Sequence, residues 1–257
     1  MNMDSTSKWK QFEENENSWF SFYSNTENIE HALIFINEKM ADDPLLNHAS
    51  EINCESDNAS IVLDRVASRF RRKRISQCFY ISPFTSPKNF EEILQNNGFK
   101  MWDKLDVMEY SNEPKDLNIE NIIIKRVGME SLKSWIRVFS GSFGISLSQI
   151  QEYSLRSRIL FPRSDIDFYL AFIRGKAVGC ATLYSKDSIG GIYFLGTLKE
   201  YRDIGVSSII LKAISQRSQE RNNNSLILQV LQKDELTKFY KKNGFKKCYS
   251  KKIYLLK

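Results

Sequence analysis

One hydrophobic pattern occurs twice along the chain. FEEILQNNGFKMWDKLDVMEY begins at Phe90 and TKFYKKNGFKKCYSKKIYLL begins at Thr237. Each carries helix-spaced apolar residues up to Asn-Gly-Phe and a strand-like run after it, which predicts helix, stop, strand. Asn97-Gly98-Phe99-Lys100 and Asn243-Gly244-Phe245-Lys246 coincide. A glycine just past a helix suits the left-handed cap, and the phenylalanine after it turns back onto the helix. Short apolar strands precede both copies, QCFYI at Gln77–Ile81 and LILQVL at Leu226–Leu231. Helical stretches at about Ala59–Lys73 and Val206–Glu220 precede those, so each half reads helix, strand, helix, strand.

Between the halves, SNEPKDLN (Ser111–Asn118) is polar, holds a proline and reads as a linker. Beyond it the pattern predicts a strand at Asn121–Val127 and helices at Met129–Phe139 and Leu147–Ile159. Strands at Asp167–Ile173 and Ala177–Tyr184 are joined by a tight Arg174-Gly175-Lys176 turn. A further strand starts at Ile192 and runs to Thr197. Strands alternating with helices predict an α/β fold built on a mixed sheet, with domains at residues 1–112 and 119–257.

Composition narrows the function. The 257 residues are 42% hydrophobic and 26% charged, ordinary for a globular chain. No stretch approaches the ~20 apolar residues of a membrane helix, and the first twenty residues lack a secretory apolar core, so the expected location is the cytoplasm. Cys54, Cys78, Cys180 and Cys248 are scattered, and only His31 and His48 accompany them. That leaves no clustered metal-ligand set and no recognisable Ser-His or Cys-His pair. The net charge of +6 suits an anionic ligand without demanding nucleic acid. The densest basic run, RFRRKR at Arg69–Arg74, reads as a helix end, where cations favour the dipole.

The chemistry gathers in GGIYFLGTLKEYRDIGVSSIILKAISQRSQ, Gly190–Gln219. A strand ends near Thr197 and a short turn leads into a helix. Arg202 and Gly205 precede that helix, whose first N–H groups lack intrahelical partners and carry partial positive charge. A phosphate fits there; Gly205 permits close approach, and Ser207 and Ser208 add hydroxyls.

In element order from about Ile119 to Leu256, this half resembles the GNAT acyltransferase superfamily. The family's Arg/Gln-x-x-Gly-x-Gly/Ala string is matched by Arg202-Asp203-Ile204-Gly205-Val206-Ser207, and its F-Y-x-x-x-G-F string by Phe239-Tyr240-Lys241-Lys242-Asn243-Gly244-Phe245. The strings DDPLLN, ISPFTSPKNFEEILQNNGF, SFGIS and FYLAFIRGKAVG resemble a tandem form of that family, with a shortened first half before a working second half. The resemblance implies two tandem GNAT-like folds. It implies acetyl-CoA as cofactor, an amine as acceptor, and acetyl transfer by direct attack on the thioester. It places the pyrophosphate on Arg202–Ser208, the pantetheine arm and thioester carbonyl on the backbone of Phe194, Leu195, Gly196 and Thr197, and the general acid at Tyr240.

Three positions depart from the family pattern. Asp203 sets a carboxylate inside the phosphate turn. Ser207 replaces the final Gly or Ala. Lys233 stands where an asparagine often bonds the pantetheine arm. For the general base, Tyr193, Asp187 and Glu200 lie in or near the region, and Tyr193 is taken as the second catalytic candidate. The first half has no phosphate string and is expected to bind no coenzyme A in this way. Two other readings stay open: an acetyltransferase-like module that binds a protein partner without turnover, and an aminoacyl- or long-chain acyltransferase.

Overall fold

The computed structural model describes residues 5–111 and 121–256; most of the Ser111–Asn118 linker lies outside them. The first half runs α1 (Ser5–Ser21), β1 (Asn25–Ile29), β2 (Ala32–Ile36), β3 (His48–Ser50), α2 (Ala59–Lys73), β4 (Gln77–Ile81), α3 (Phe90–Asn96) and β5 (Lys100–Tyr110). The second runs β6 (Ile122–Val127), α4 (Leu132–Phe143), α5 (Leu147–Leu160), β7 (Ile166–Ile173), β8 (Lys176–Lys186), β9 (Ile189–Thr197), α6 (Val206–Glu220), β10 (Ser225–Leu231), α7 (Thr237–Lys242) and β11 (Phe245–Leu256). Among the described residues no helix is long and apolar enough to cross a membrane.

The chain divides into two compact units, and neither is continuous in sequence. One holds residues 17–107, 229–237 and 247–257; the other holds 1–16, 108–228 and 238–246. This differs from a cut at residues 112–119, and strand pairing is the reason. The end of β11 pairs antiparallel with β4, Lys252 opposite Ile81 and Tyr254 opposite Phe79. The last residues of the chain therefore complete the sheet of the N-terminal unit.

In the N-terminal unit β1, β2 and β3 are antiparallel neighbours and β3 meets β4 in parallel. On α2 the residues Ala59, Val62, Leu63, Val66 and Phe70 recur at three- and four-residue steps. All are buried, in a core with Ile34, Phe79, Phe90 and Tyr254. Gly98 follows α3 at φ +85. The next residue, Phe99, donates its N–H to the Leu94 carbonyl (3.0 Å) and packs edge-on against Phe79, centroids 5.2 Å apart. The basic run is the end of α2: Arg69 pairs with Glu27, and Lys73 with Glu38 at 2.7 Å.

The C-terminal unit orders its strands β6-β7-β8-β9-β10. The first four are antiparallel, and β10 runs parallel to β9, Ser225 opposite Ile189 and Leu228 opposite Ile192. A parallel return needs a crossover, and α6 supplies it. The turn between β7 and β8 has two central residues in the left-handed region, Arg174 (φ +48) and Gly175 (φ +76), as a two-residue hairpin requires. Strand β9 starts at Ile189, earlier than the sequence pattern indicates, because Asp187 (φ +49) and Ser188 (φ +62) form a second such turn. At its far end α6 is tied to β7. Buried Asp167 accepts from Arg217 Nε (2.9 Å) and Arg221 Nε (2.8 Å). Burial pushes the Asp167 carboxyl up, and the bonds from Arg221 and Arg217 outweigh it, leaving it below the usual range.

In the N-terminal unit His48 is 1% exposed. It stacks on Tyr80 (centroids 4.0 Å apart) and on Phe35 (4.6 Å). Burial, helped by the charge of Lys251, lowers its pKa from 6.5 to about 3. The unfolded chain therefore binds a proton that the folded chain refuses, and stability is lost as pH falls through the window from 6.5 to about 3. Between pH 6.5 and 5 the wild type is expected to lose about 1.6 kcal/mol more than His48→Phe, since a full pH unit corresponds to ~1.4 kcal/mol and the unfolded imidazole is already half protonated at pH 6.5. Urea unfolding of both proteins at the two pH values checks this, and equal losses would refute it.

Candidate functional site

The site is built on a break in the β8–β9 ladder. Cys180 opposes Gly196 and Thr182 opposes Tyr193, so Phe194 and Leu195 together face the single residue Ala181. This is a bulge, and it leaves backbone groups outside the ladder. Phe194 takes φ +55. Its ring fits an aromatic nest, 4.7 Å from Phe139, 5.7 Å from Tyr153 and 5.9 Å from Trp135 between centroids. Freed ladder groups find other partners. The Ala181 carbonyl accepts the Trp135 indole N–H (3.4 Å) and the Phe194 carbonyl accepts the Cys180 thiol (3.5 Å). Burial pushes that thiol far above its ordinary pKa, which makes it a packed donor and no nucleophile.

The end of α4 lies directly on β9. A Cβ at Gly196 would sit 2.7 Å from Ser142 Cβ and 2.8 Å from Phe143 Cε2, so only glycine fits. Beyond Thr197 the chain makes a 3-10 turn at Lys199–Tyr201 and reaches α6. Arg202 sends its guanidinium back to two carbonyls, Thr197 (3.3 Å) and Ser142 (3.0 Å). It thereby staples the turn to β9 and α4. Asp203 (φ +63) and Gly205 (φ +88) both take left-handed backbone, and Asp203 is exposed. Gly205 is the N-cap of α6, with no side-chain cap bond. The first-turn amides at Val206, Ser207 and Ser208 are thus left for an external acceptor. The Ser207 hydroxyl lies 2.9 Å from that of Thr197.

Tyr193 is 8% exposed, and its hydroxyl donates to Asn15 Oδ1 (2.8 Å). Asn15 Nδ2 in turn donates to the Ile189 carbonyl (3.0 Å). The middle of α1 is thus bonded to β9. Asn15 is a site-positioning residue that sequence reasoning missed; it lies more than 170 residues from its partners and no motif flags it. Tyr240 on α7 is 8% exposed, its ring edge-on to Phe239 (5.2 Å) and Phe245 (6.1 Å). Glu200 is exposed, and Asp187 sits in the β8–β9 turn with Lys186 Nζ 3.6 Å away. Lys233 falls in the N-terminal unit, its ammonium 3.3 Å from the Trp102 ring centroid. The C-terminal unit therefore groups Tyr193, Phe194–Thr197, Arg202–Ser208 and Tyr240, and Lys233 belongs to the N-terminal unit.

A family model described as an acetyltransferase (GNAT) domain matches residues 144–254, a span that includes the bulge, the turn, α6 and α7. This part of the chain is a GNAT acetyltransferase domain. The cofactor of such domains is acetyl-CoA. Solved structures similar in fold extend the likeness beyond the GNAT domain to nearly the whole chain. A GCN5-related N-acetyltransferase from Kribbella flavida is 14% identical with TM-score 0.70, covering 95% of this chain and 94% of that one. One from Sphaerobacter thermophilus is 13% identical with TM-score 0.70, covering 93% and 84%. A conserved protein of unknown function from Staphylococcus epidermidis is 14% identical with TM-score 0.68, covering 91% and 94%. No curated protein matches the chain.

Tyr193→Phe removes the hydroxyl bonded to Asn15 Oδ1 and should lower stability by about 1–3 kcal/mol, the usual effect of removing one partner of a buried hydrogen bond. Thermal melting checks it; an unchanged melting temperature would contradict the positioning role.

Proposed function

We propose that this protein transfers an acetyl group from acetyl-CoA to an amine, with the first turn of α6 holding the donor's diphosphate. The observation that supports this most is the open end of α6. A glycine N-cap supplies no side-chain acceptor, so three amides and the helix dipole await an anion. The donor set suits a diphosphate: backbone N–H groups with the Ser207 and Ser208 hydroxyls beside them. Asp203 is exposed, where water and salt screen its charge.

Bound acetyl-CoA supplies the acyl group as a thioester. The backbone of Phe194–Thr197 orients the pantetheine arm, and amides released by the bulge stabilise negative charge on the carbonyl oxygen. Tyr240 Oη holds the proton destined for the departing sulfur; a phenol and a thiol lie close in acidity, so the transfer is nearly balanced. Tyr193 positions β9 through the hydrogen bond its hydroxyl donates to Asn15. The ammonium of Lys233 lies over the Trp102 ring. The N-terminal half lacks the Arg-x-x-Gly-x-Gly/Ala string and holds no second donor. Four free cysteines support a reducing, cytosolic setting.

Calorimetry with coenzyme A and release of free thiol in the presence of amines test the reading; a wild type that binds no coenzyme A would sink it. Tyr240→Phe should lower kcat by about 10²-fold, the effect of losing a general acid, with coenzyme A affinity unchanged. If turnover survives, Tyr240 is not the acid. Gly205→Val forces a branched side chain into φ +88 and should weaken coenzyme A about tenfold by distorting the turn, with α6 still folded by circular dichroism. Wild-type affinity in that variant would count against the diphosphate assignment.

A further inference from the structure

Elsewhere in the C-terminal unit a cavity of about 580 Å³ opens between β6, the β7–β8 turn and the segment leading to α6. Its lining is mixed: Ile122, Ile173 and Ile204 with the Tyr201 ring are apolar, Asn121 is polar, and Arg174 and Lys176 are charged. Ile204 is 49% exposed, an apolar surface that a ligand would remove from water. Among the described residues the lining contains no acid, and neither cation pairs with a carboxylate. The β7–β8 hairpin fixes both cations at one edge of the cavity, Arg174 held at φ +48 and Lys176 paired with Ile173.

We propose that this cavity is a binding site for an organic phosphate. Two cations two residues apart match a dianion better than a single carboxylate, and an arginine fork offers paired donors to phosphate oxygens. The isoleucines and Tyr201 take an apolar or aromatic body, and the volume lies in the range of small-molecule sites. Two sources share this chemistry: the nucleotide end of coenzyme A, which carries a phosphate monoester, and a separate phosphorylated metabolite. Tyr201 and Ile204 also flank the turn that leads into α6, so an occupant touches the segment proposed to hold the donor.

The test is calorimetric titration of the full chain with adenosine 3′,5′-bisphosphate as probe. The wild type should bind it. The double variant Arg174→Glu/Lys176→Glu should bind about tenfold more weakly or worse, as expected for losing a charge-assisted pair, with an unchanged melting temperature because both residues are exposed. A wild type that does not bind the probe, or a double variant with wild-type affinity, overturns the proposal. Repeating the titration in saturating coenzyme A separates the sources: displacement together with weaker coenzyme A binding by the double variant assigns the cavity to the nucleotide end, and additive binding that the double variant loses assigns it to a second ligand. Failure of coenzyme A to bind would defeat the donor assignment alone, because the probe carries its own phosphates.

Discussion

The site depends on one irregularity, the two-against-one bulge that sets Phe194 and Leu195 opposite Ala181. The parallel ladder with β10 ends at Ile192 opposite Leu228, and the bulge follows directly on β9 and redirects its N–H and C=O groups. The bulge persists because its consequences are absorbed locally. Trp135 takes the released Ala181 carbonyl, and the Phe194 ring is gripped by Phe139, Tyr153 and Trp135. Left-handed backbone at a phenylalanine is unfavourable in isolation; the aromatic nest offsets it and keeps the strand open at the same place.

The second element is a helix secured at one end and open at the other. Asp167, held by Arg217 and Arg221, anchors the far turns of α6 to β7. At the near end Gly205 leaves the first amides without a side-chain cap, and Arg202 spends its guanidinium on the carbonyls of Thr197 and Ser142. The arginine of the motif thus acts in this structure as a staple that shapes the turn, and its charge adds to the positive potential of the amides and dipole.

The discontinuous units also bear on folding. Pairing β11 with β4 joins residues about 170 positions apart, and Asn15 reaches β9 across a similar separation. Such non-local contacts slow folding relative to local ones, because loop closure comes first. The N-terminal sheet is completed only when the end of the chain is available to it.

The repeated Asn-Gly-Phe stops, the apolar period of α2 and the Arg202–Ser207 string were readable in the sequence because each is local: a cap, a helix face, a turn. Gly98 and Gly205 sit in left-handed backbone for the reasons their neighbours imply. Tertiary structure alone decided that β11 belongs with β4, that the hydroxyl of Tyr193 goes to Asn15, and that Lys233 lies over Trp102. It also decided that Arg174 and Lys176 line one cavity with Ile204. These are pairings between residues far apart along the chain, fixed by sheet register and by complementary burial, and no short window of sequence carries the information that selects one distant partner over another.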